Sequence, residues 1–186
     1  MLSAQKGFTL LEMLIAMALS SVLLLGTSRL FPALQLEVLR QYGYVAQQEA
    51  LWQMAFAIGK NLQRAGYCRG QCQGEGVKLT NQGGCVVVQW DANHNGRWDT
   101  AKDSQNEQTG YRLRNGNLET QKGVEHCEGS GWERMSDPAQ STVQHFSVTR
   151  QNRKTGRPLF LIKLASSLKQ GGRAAEVNYV VSGENL

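Results

Sequence analysis

A single carboxylate stands inside the first long apolar run of the chain. The run extends from Phe8 to Leu25, and Glu12 is the only formal charge within it. An acidic side chain near the centre of a membrane helix costs about 2.5–3.5 kcal/mol to insert, and less near the helix end. An unpaired carboxylate in an apolar medium protonates instead. The segment therefore offers one acidic group that needs a cationic partner to keep its charge.

Four cysteines follow the apolar run, at Cys68, Cys72, Cys85 and Cys127. Their even number suits an oxidising compartment and two disulfides, for which three connectivities exist. The preferred pairing joins Cys68 to Cys72 across a short loop. It also joins Cys85 to Cys127, which ties a strand to a long loop. Zinc is the competing interpretation because His126 adjoins Cys127, but a second matched Cys pair and a His-x(3–5)-His pattern are both missing.

Oxygen-bearing side chains alternate in the segment that begins at Asp91. Asp91, Asn93 and Asn95 occupy positions 1, 3 and 5 ahead of a glycine, as in the first half of an EF-hand calcium loop. Asp99 follows, but position 12, which needs a bidentate Glu, is Lys102. The same composition is typical of a plain β-turn. Calcium binding and a plain turn both stay open, with the turn favoured, and no other cofactor is expected.

The chain shows no catalytic constellation. His94, His126 and His145 have no Ser or Cys partner in an arrangement that indicates a triad. The sequence contains no H-E-x-x-H, and the glycines between Gly70 and Gly76 are not followed by the Lys-Ser/Thr of a phosphate loop. We therefore expect a protein that is not an enzyme.

Basic side chains concentrate near the C-terminus. Residues 138–186 contain seven Lys or Arg and two Asp or Glu. Such a patch suits nucleic acid, anionic lipid or an acidic protein face, although a solvated sheet edge is the favoured interpretation. The seven residues are Arg150, Arg153, Lys154, Arg157, Lys163, Lys169 and Arg173.

The elements that position these groups begin with a membrane anchor. Residues 8–26 form an apolar run of 19 residues, close to the roughly 20 that a helix needs to cross a bilayer. A secretory signal has an apolar region of about 7–15 residues and an A-x-A-like site after it. This run is longer, and no such site follows it. Lys6, just before the run, places the N-terminus in the cytoplasm by the positive-inside rule.

The helix is predicted to continue beyond the membrane, from about Phe8 to Ala65. Its second half has one apolar face for packing on a sheet, widened by Trp52 and Phe56, and Gly66 is a suitable C-terminal cap. The residues of that face are Leu51, Met54, Ala55, Ile58, Leu62 and Ala65.

Strand signals fill the rest of the chain. The run Cys85–Trp90 is rich in β-branched residues, and Asn115-Gly116 between Tyr111–Arg114 and Asn117–Glu119 is typical of a type I′ hairpin. Three later runs complete an antiparallel meander. These runs are Thr142–Arg150, Pro158–Ala165 and Ala174–Ser182, joined at Gly156 and at Gly171-Gly172. The predicted fold class is α+β, with one long helix packed on an antiparallel sheet.

The stretch Lys6-Gly7-Phe8-Thr9-Leu10-Leu11-Glu12 resembles the class III signal of type IV pilins and type II secretion pseudopilins. The resemblance implies that prepilin peptidase cuts between Gly7 and Phe8 and methylates the new amino group of Phe8. It also implies that Glu12 serves assembly, by pairing with the protonated α-amine of a neighbouring subunit's Phe8 in a low dielectric. Small residues in the same helix would let helices approach closely. These are Ala16, Ala18, Ser20, Ser21 and Gly26.

The same resemblance implies a pilin-like organisation of the whole chain. Residues 1–7 are the leader, 8–30 the transmembrane and filament-core helix, 31–66 its amphipathic continuation, and 67–186 an extracytoplasmic β-rich part. The loop-rich segment 91–141 resembles the larger minor pseudopilins of the J type and the PilW-like minor pilins. The chain is expected to cross the inner membrane once, with its globular part in the periplasm, and then to enter a filament or its tip.

The function implied is that of a minor pilin or pseudopilin that primes or caps assembly of a type IV pilus or type II secretion pseudopilus. Its expected partners are other minor and major pilins or pseudopilins, prepilin peptidase and the inner-membrane assembly platform. The alternative is a tip-located binding module whose basic C-terminal region binds DNA or an acidic ligand, so nucleic acid stays open as a partner.

Overall fold

The computed structural model describes residues 7–100, 106–169 and 173–186. Four residues used in the sequence analysis lie outside the described residues, namely Lys6, Lys102, Gly171 and Gly172. The chain divides into two compact units, Met1–Tyr42 and Gly43–Leu186, and each is described by itself.

One long helix, α1, comprises Leu10–Arg64 and so runs through the first unit and into the second. Its bounds agree closely with the predicted helix. Gly66 ends it as predicted, with a positive φ of 83° that only glycine adopts without strain. The side-chain amide of Asn185 lies 3.4 Å from the carbonyl oxygens of Gln63 and Arg64. The C-terminal residues of the chain therefore help to cap the end of α1.

The predicted apolar face of α1 is buried in the second unit, and each of its six residues is at most 7% exposed. The predicted widening of that face is wrong. Trp52 and Phe56 are 47% and 49% exposed, because the sheets cover the opposite side of the helix. Both rings instead contact Tyr179 from outside the core.

The second unit contains eight strands in two antiparallel sheets among its described residues. The first sheet has the order β1-β2-β3-β4-β5. Its strands are β1 Val77–Thr80, β2 Cys85–Gln89, β3 Gln108–Arg114, β4 Asn117–Lys122 and β5 Glu133–Arg134. Between β3 and β4, Asn115 and Gly116 have φ values of 51° and 74°, which confirms the predicted hairpin turn.

The second sheet has the order β6-β7-β8. Its strands are β6 Ser141–Gln151, β7 Leu159–Leu168 and β8 Ala175–Ser182. The α+β class and the predicted strands are confirmed, but the strands form two sheets rather than one meander. Strands β1 and β5 were not predicted, because four and two residues are too few for a clear alternating pattern.

One core joins α1 to both sheets. Leu51, Ile58 and Leu62 of the helix pack in the same buried cluster as Val86 of β2 and Phe160 of β7. Full burial of one such side chain contributes about 1.5–3 kcal/mol, so this cluster is the main source of stability in the second unit.

Candidate functional site

The segment that resembles a processing signal lies at the start of the described chain. Gly7, Phe8 and Thr9 precede α1 and are not helical, and Phe8 is 86% exposed. A Cβ atom added at Gly7 would meet no atom of the described residues within 4 Å. The fold therefore makes no steric demand for glycine at position 7, and the bond between Gly7 and Phe8 is open to solvent.

Thr9 and Glu12 form a capping box at the N-terminus of α1. Thr9 donates to Glu12 Oε2 from its backbone nitrogen at 2.8 Å and from its hydroxyl at 2.9 Å. In return, the backbone N–H of Glu12 donates to Thr9 Oγ1 at 3.3 Å. These bonds satisfy donors that the first turn of a helix otherwise leaves unpaired. The sequence analysis missed the role of Thr9, although Thr-x-x-Glu ahead of an apolar run is its usual signal.

The following part of α1 is suited to an apolar environment. It contains a stretch that is long and apolar enough to cross a membrane. Its hydroxyl groups donate to backbone carbonyl oxygens three or four residues earlier in the helix. No separate polar partner is then needed for them in a bilayer. The hydroxyls belong to Ser20, Ser21, Thr27 and Ser28.

All four cysteines of the chain are paired. Cys68 is bonded to Cys72, and Cys85 is bonded to Cys127, which is the pairing that the sequence favoured. No thiolate is left for zinc. The second bridge ties β2 to the loop after β4, where Cys85 and Cys127 form a small buried cluster with Val87.

A buried ion pair supports that second bridge. Arg112 Nε lies 2.8 Å from Glu119 Oε2, and its Nη1 donates to the carbonyl of Cys127 at 2.7 Å. The guanidinium also lies 4.2 Å from the ring centre of Trp132. The charge of Arg112 is thus both paired and hydrogen-bonded, as burial requires.

The segment 91–99 folds around its own carboxylates. Asp91 is fully buried and accepts from the backbone N–H groups of Arg69, Asn95 and Gly96, each at 3.0 Å. Because Arg69 belongs to the loop closed by Cys68–Cys72, Asp91 joins the two loops. Burial acts to raise the pKa of Asp91, but these N–H donors together hold it below its ordinary value.

Asp99 is the second carboxylate of the segment. Its Oδ2 accepts from the side-chain amides of Asn93 and Asn95, both at 2.8 Å, and its Oδ1 accepts from Arg97 Nε at 2.9 Å. The Asn93 amide is the largest influence on the pKa of Asp99, which lies below its ordinary value despite burial.

Glu107 is the residue of this segment that the sequence analysis missed. Its Oε1 accepts from the backbone N–H groups of Ala92 at 2.6 Å and Asn93 at 3.0 Å. Its Oε2 accepts from the backbone N–H of Asp99 at 3.2 Å. No sequence signal links Glu107 to the turn, since only the folded loop brings them together. Within residues 7–100, 106–169 and 173–186, no three His, Cys, Asp or Glu side chains form a group that could hold a metal ion. Calcium binding stays a prediction of the sequence.

The basic C-terminal residues contact separate parts of the second unit. Arg157 forms an ion pair with Glu184, and Arg173 lies 5.9 Å from the ring centre of Tyr44. Arg150 lies 6.0 Å from the ring centre of Phe160. These three side chains therefore have local structural partners, and the role of the basic region stays open.

The three histidines also have local contacts. The ring of His94 stacks edge-on against Tyr67 at 5.6 Å. His126 Nδ1 accepts from the backbone of Glu128, and His145 Nε2 lies 3.0 Å from Ser147 Oγ within one strand. Each histidine therefore has a contact with a nearby residue of the second unit.

Comparison with known proteins agrees with this geometry. The family model of prepilin peptidase-dependent protein B matches residues 40–183, and the model of the prokaryotic N-terminal methylation motif matches residues 2–28. The chain is 44% identical over 183 residues to prepilin peptidase-dependent protein B of Escherichia coli (strain K12), with 98% of each chain covered. No solved structure matches. Together with the exposed Gly7–Phe8 bond and the apolar helix after it, these matches show that the chain belongs to the family of prepilin peptidase-dependent protein B.

Proposed function

We propose that the chain is a minor pilin or pseudopilin that primes or caps assembly of a type IV pilus or type II secretion pseudopilus. The observation that carries this proposal is the continuity of α1 with its signal. An exposed Gly7–Phe8 bond, the carboxylate of Glu12, an apolar segment and a globular unit follow one another on a single chain. The name of the E. coli relative supports prepilin peptidase as the enzyme that processes it.

Cleavage between Gly7 and Phe8 supplies the positive charge that the Glu12 carboxylate needs as a partner. It frees the α-amine of Phe8 at the edge of the apolar segment that contains Glu12, and N-methylation leaves that amine able to carry charge. The amine of one subunit then pairs with Glu12 of its neighbour, where a low dielectric strengthens the attraction. In this proposal the chain sits in the inner membrane with its second unit in the periplasm, and the assembly platform moves it into the filament.

The small residues of α1 support the same role. A Cβ atom added at Gly26 would meet no atom within 4 Å, so this chain's fold does not need a glycine there. In a membrane, small residues let helices approach closely. Gly26 is therefore available for contact with the helix of another subunit.

Two substitutions test the proposal in cells that contain the peptidase and the other subunits. Gly7→Val should leave the chain uncut, with the fold of the second unit unchanged. Glu12→Ala should leave it cut but unassembled. Intact mass gives the state of the leader, and the number of filaments gives assembly. Normal processing and normal filament numbers for both variants would contradict the proposal, and Leu10→Val serves as the control for a change in the same segment.

The alternative is a tip-located module that binds DNA or an acidic ligand through the basic C-terminal region. Its signature is an affinity that falls steeply with added salt, because phosphate binding releases counterions. The separate local partners of Arg150, Arg157 and Arg173 do not favour it.

A further inference from the structure

A row of exposed side chains follows the outer side of α1 in the second unit. We call the aromatic face the set formed by Val45, Glu49, Trp52 and Phe56 of α1 with Tyr179 of β8. Val45, Trp52 and Phe56 are 58%, 47% and 49% exposed. Exposed aromatic side chains on a helix whose other side is already fully packed need a separate explanation.

The spacing of the row is that of a helix-packing seam. Val45, Glu49, Trp52 and Phe56 are separated by four, three and four residues, so they line one side of the helix. At about 100° per residue, this row is centred roughly 130° around the helix from the buried stripe at Leu51. α1 therefore has two seams, one filled by the sheets and one open.

Contacts within the chain order the side chains of the aromatic face. Tyr179 meets Trp52 edge-on, with ring centres 5.9 Å apart, and it meets Phe56 at 6.3 Å. Lys60 Nζ lies 5.1 Å from the centre of the Phe56 ring. Rings that are already ordered lose less entropy on binding, and buried Trp and Tyr are the residues that most often dominate interfaces.

Glu49 limits what can cover the seam. It lies in the middle of the row, accepts a hydrogen bond from Gln53 Nε2 at 3.4 Å, and forms no ion pair among the residues that the structure describes. A partner that buries it must bring a cation. A second copy packed in register would instead place Glu49 against Glu49, which repels.

We propose that the aromatic face binds the helix of a different pilin-type subunit, one that places Lys or Arg opposite Glu49. The inference rests on the proposed function, in which the N-terminal part of α1 is anchored in the membrane. A second helix anchored in the same membrane runs along α1 in the same direction. Its side chains repeat at the same three- and four-residue spacing as the aromatic face, so the two rows can pack together. The interface is thus selective, since the carboxylate rejects an in-register copy of the same chain.

Photocrosslinking of the full chain in the inner membrane tests this inference. p-Benzoylphenylalanine replaces Trp52, and in the control it replaces Ala57, which is exposed on another side of α1. The expected product joins position 52 to the helix of another chain with an N-terminal methylation motif, identified by mass spectrometry. A crosslink only to a second copy of this chain, or one no stronger than the control, would overturn the inference.

Variants that change the charge or size of a side chain give a second test of the aromatic face. Phe56→Glu and Glu49→Lys should each reduce that crosslink about 30-fold, the factor that corresponds to the loss of a hot-spot residue. The matched variants Ala57→Glu and Ala50→Lys, at exposed positions on another side of α1, should leave it unchanged. Both pairs are on the surface, and unchanged melting temperatures would show that the fold is intact. An equal loss of the crosslink in the matched variants would contradict specific binding at the aromatic face.

The two proposals fail in different ways. If Gly7→Val is still cut and Glu12→Ala still assembles, the proposed function is wrong. If both behave as expected but position 52 gives no specific crosslink, the function stands and the aromatic face is not the docking surface.

Discussion

Thr9 and Glu12 bind each other in both directions across the first turn of α1. The Thr9 N–H donates to the Glu12 carboxylate at 2.8 Å, and the Glu12 N–H donates to the Thr9 hydroxyl at 3.3 Å. The carboxylate therefore caps its own helix and is also the proposed partner of a neighbour's amine. A glutamine can perform the first role, because Gln also serves in a capping box, but it cannot carry the charge that the second role needs.

Substitution at these two positions separates the roles. Glu12→Gln should be cut normally and should fail to assemble, because the ion pair is lost while the cap is kept. Thr9→Ala should weaken the start of the helix by about 1 kcal/mol and should still assemble. Intact mass and filament counts measure the two outcomes. Assembly of Glu12→Gln at the level of the unaltered chain would show that the charge is not needed.

The two disulfides are expected to differ in their contribution to stability. Cys85–Cys127 closes 42 residues, and Cys68–Cys72 closes four. Loop-closure entropy predicts about 4 kcal/mol for the longer loop and about 2 kcal/mol for the shorter. The Cys85→Ala/Cys127→Ala variant should therefore melt well below the Cys68→Ala/Cys72→Ala variant.

Thermal unfolding of the full chain in detergent measures this difference. For a domain of this size, about 1 kcal/mol corresponds to 2–4 °C in melting temperature. The longer loop should thus cost roughly 4–8 °C more than the shorter one. Mass measured without reductant confirms that each variant keeps its other bridge. A larger loss from the shorter loop would mean that local contacts, such as Asp91 with Arg69, dominate over chain entropy.

Periodicity was enough to predict the half of α1 that packs on the sheets. A residue such as Leu62 is buried because each turn of a helix returns to the same side, and Gly66 ends the helix because it tolerates a positive φ. The hairpin at Asn115 follows from local turn chemistry in the same way. These features depend on residues that are close in sequence, so they can be predicted from the sequence of a single chain.

Features that depend on distant contacts were not predictable from the sequence. Helical geometry alone separates Trp52 and Phe56 from the buried stripe, but only the folded chain shows that Tyr179 of β8 meets both rings. The Glu107 carboxylate accepts a hydrogen bond from the backbone N–H of Asp99, which lies eight residues earlier at the end of the turn. The division into two sheets depends on which edges pair, and an alternating pattern does not specify its partner strand.

The acid stability of the second unit should depend on Asp91 and Asp99. The pKa of each is lower in the folded chain than its ordinary value, which is about 3.9 for Asp. Stabilisation from these groups is therefore present above that pH and is lost as the pH falls through the lowered values. Melting temperatures measured from pH 7 to pH 2 should fall below about pH 4.

Asp91→Asn tests the cause of that acid transition. The variant should melt lower at pH 7, because an amide NH₂ would face backbone N–H donors, and its melting temperature should vary less with acid. Glu176→Gln, at an exposed position, is the control and should reproduce the unaltered curve. An acid profile that Asp91→Asn leaves unchanged would place the responsible carboxylates elsewhere.

The segment 91–99 should hold its shape without calcium. Both oxygens of Asp91 already accept backbone N–H groups, and the side-chain oxygen Oδ1 of Asn93 accepts from the Asn95 N–H at 2.9 Å. Binding of an ion by Asn93 would compete with that bond. We therefore expect the same melting temperature in calcium and in EDTA. A rise of about 5 °C or more in calcium, lost in Asp99→Asn, would establish an ion site instead.

Two glycines in the second half of α1 should respond oppositely to alanine. At Gly43 an added Cβ atom meets only Leu168 Cδ1, at an ordinary 3.7 Å. At Gly59 it would lie 2.5 Å from Tyr179 Cε1 and 3.0 Å from Val181 Cγ1. Gly43→Ala should therefore stabilise the chain by roughly 0.5–1 kcal/mol through helix propensity, whereas at Gly59 the clash with β8 should outweigh that gain.

Unfolding in denaturant gives the sign of each change. Gly59→Ala should lower the free energy of unfolding, and it should also disturb the aromatic face, because Tyr179 is the ring that meets both Trp52 and Phe56. Adding Tyr179→Ala to Gly59→Ala should remove most of the clash, so the two changes should not be additive. Additive losses would mean that α1 and β8 do not approach each other as closely as the 2.5 Å contact requires.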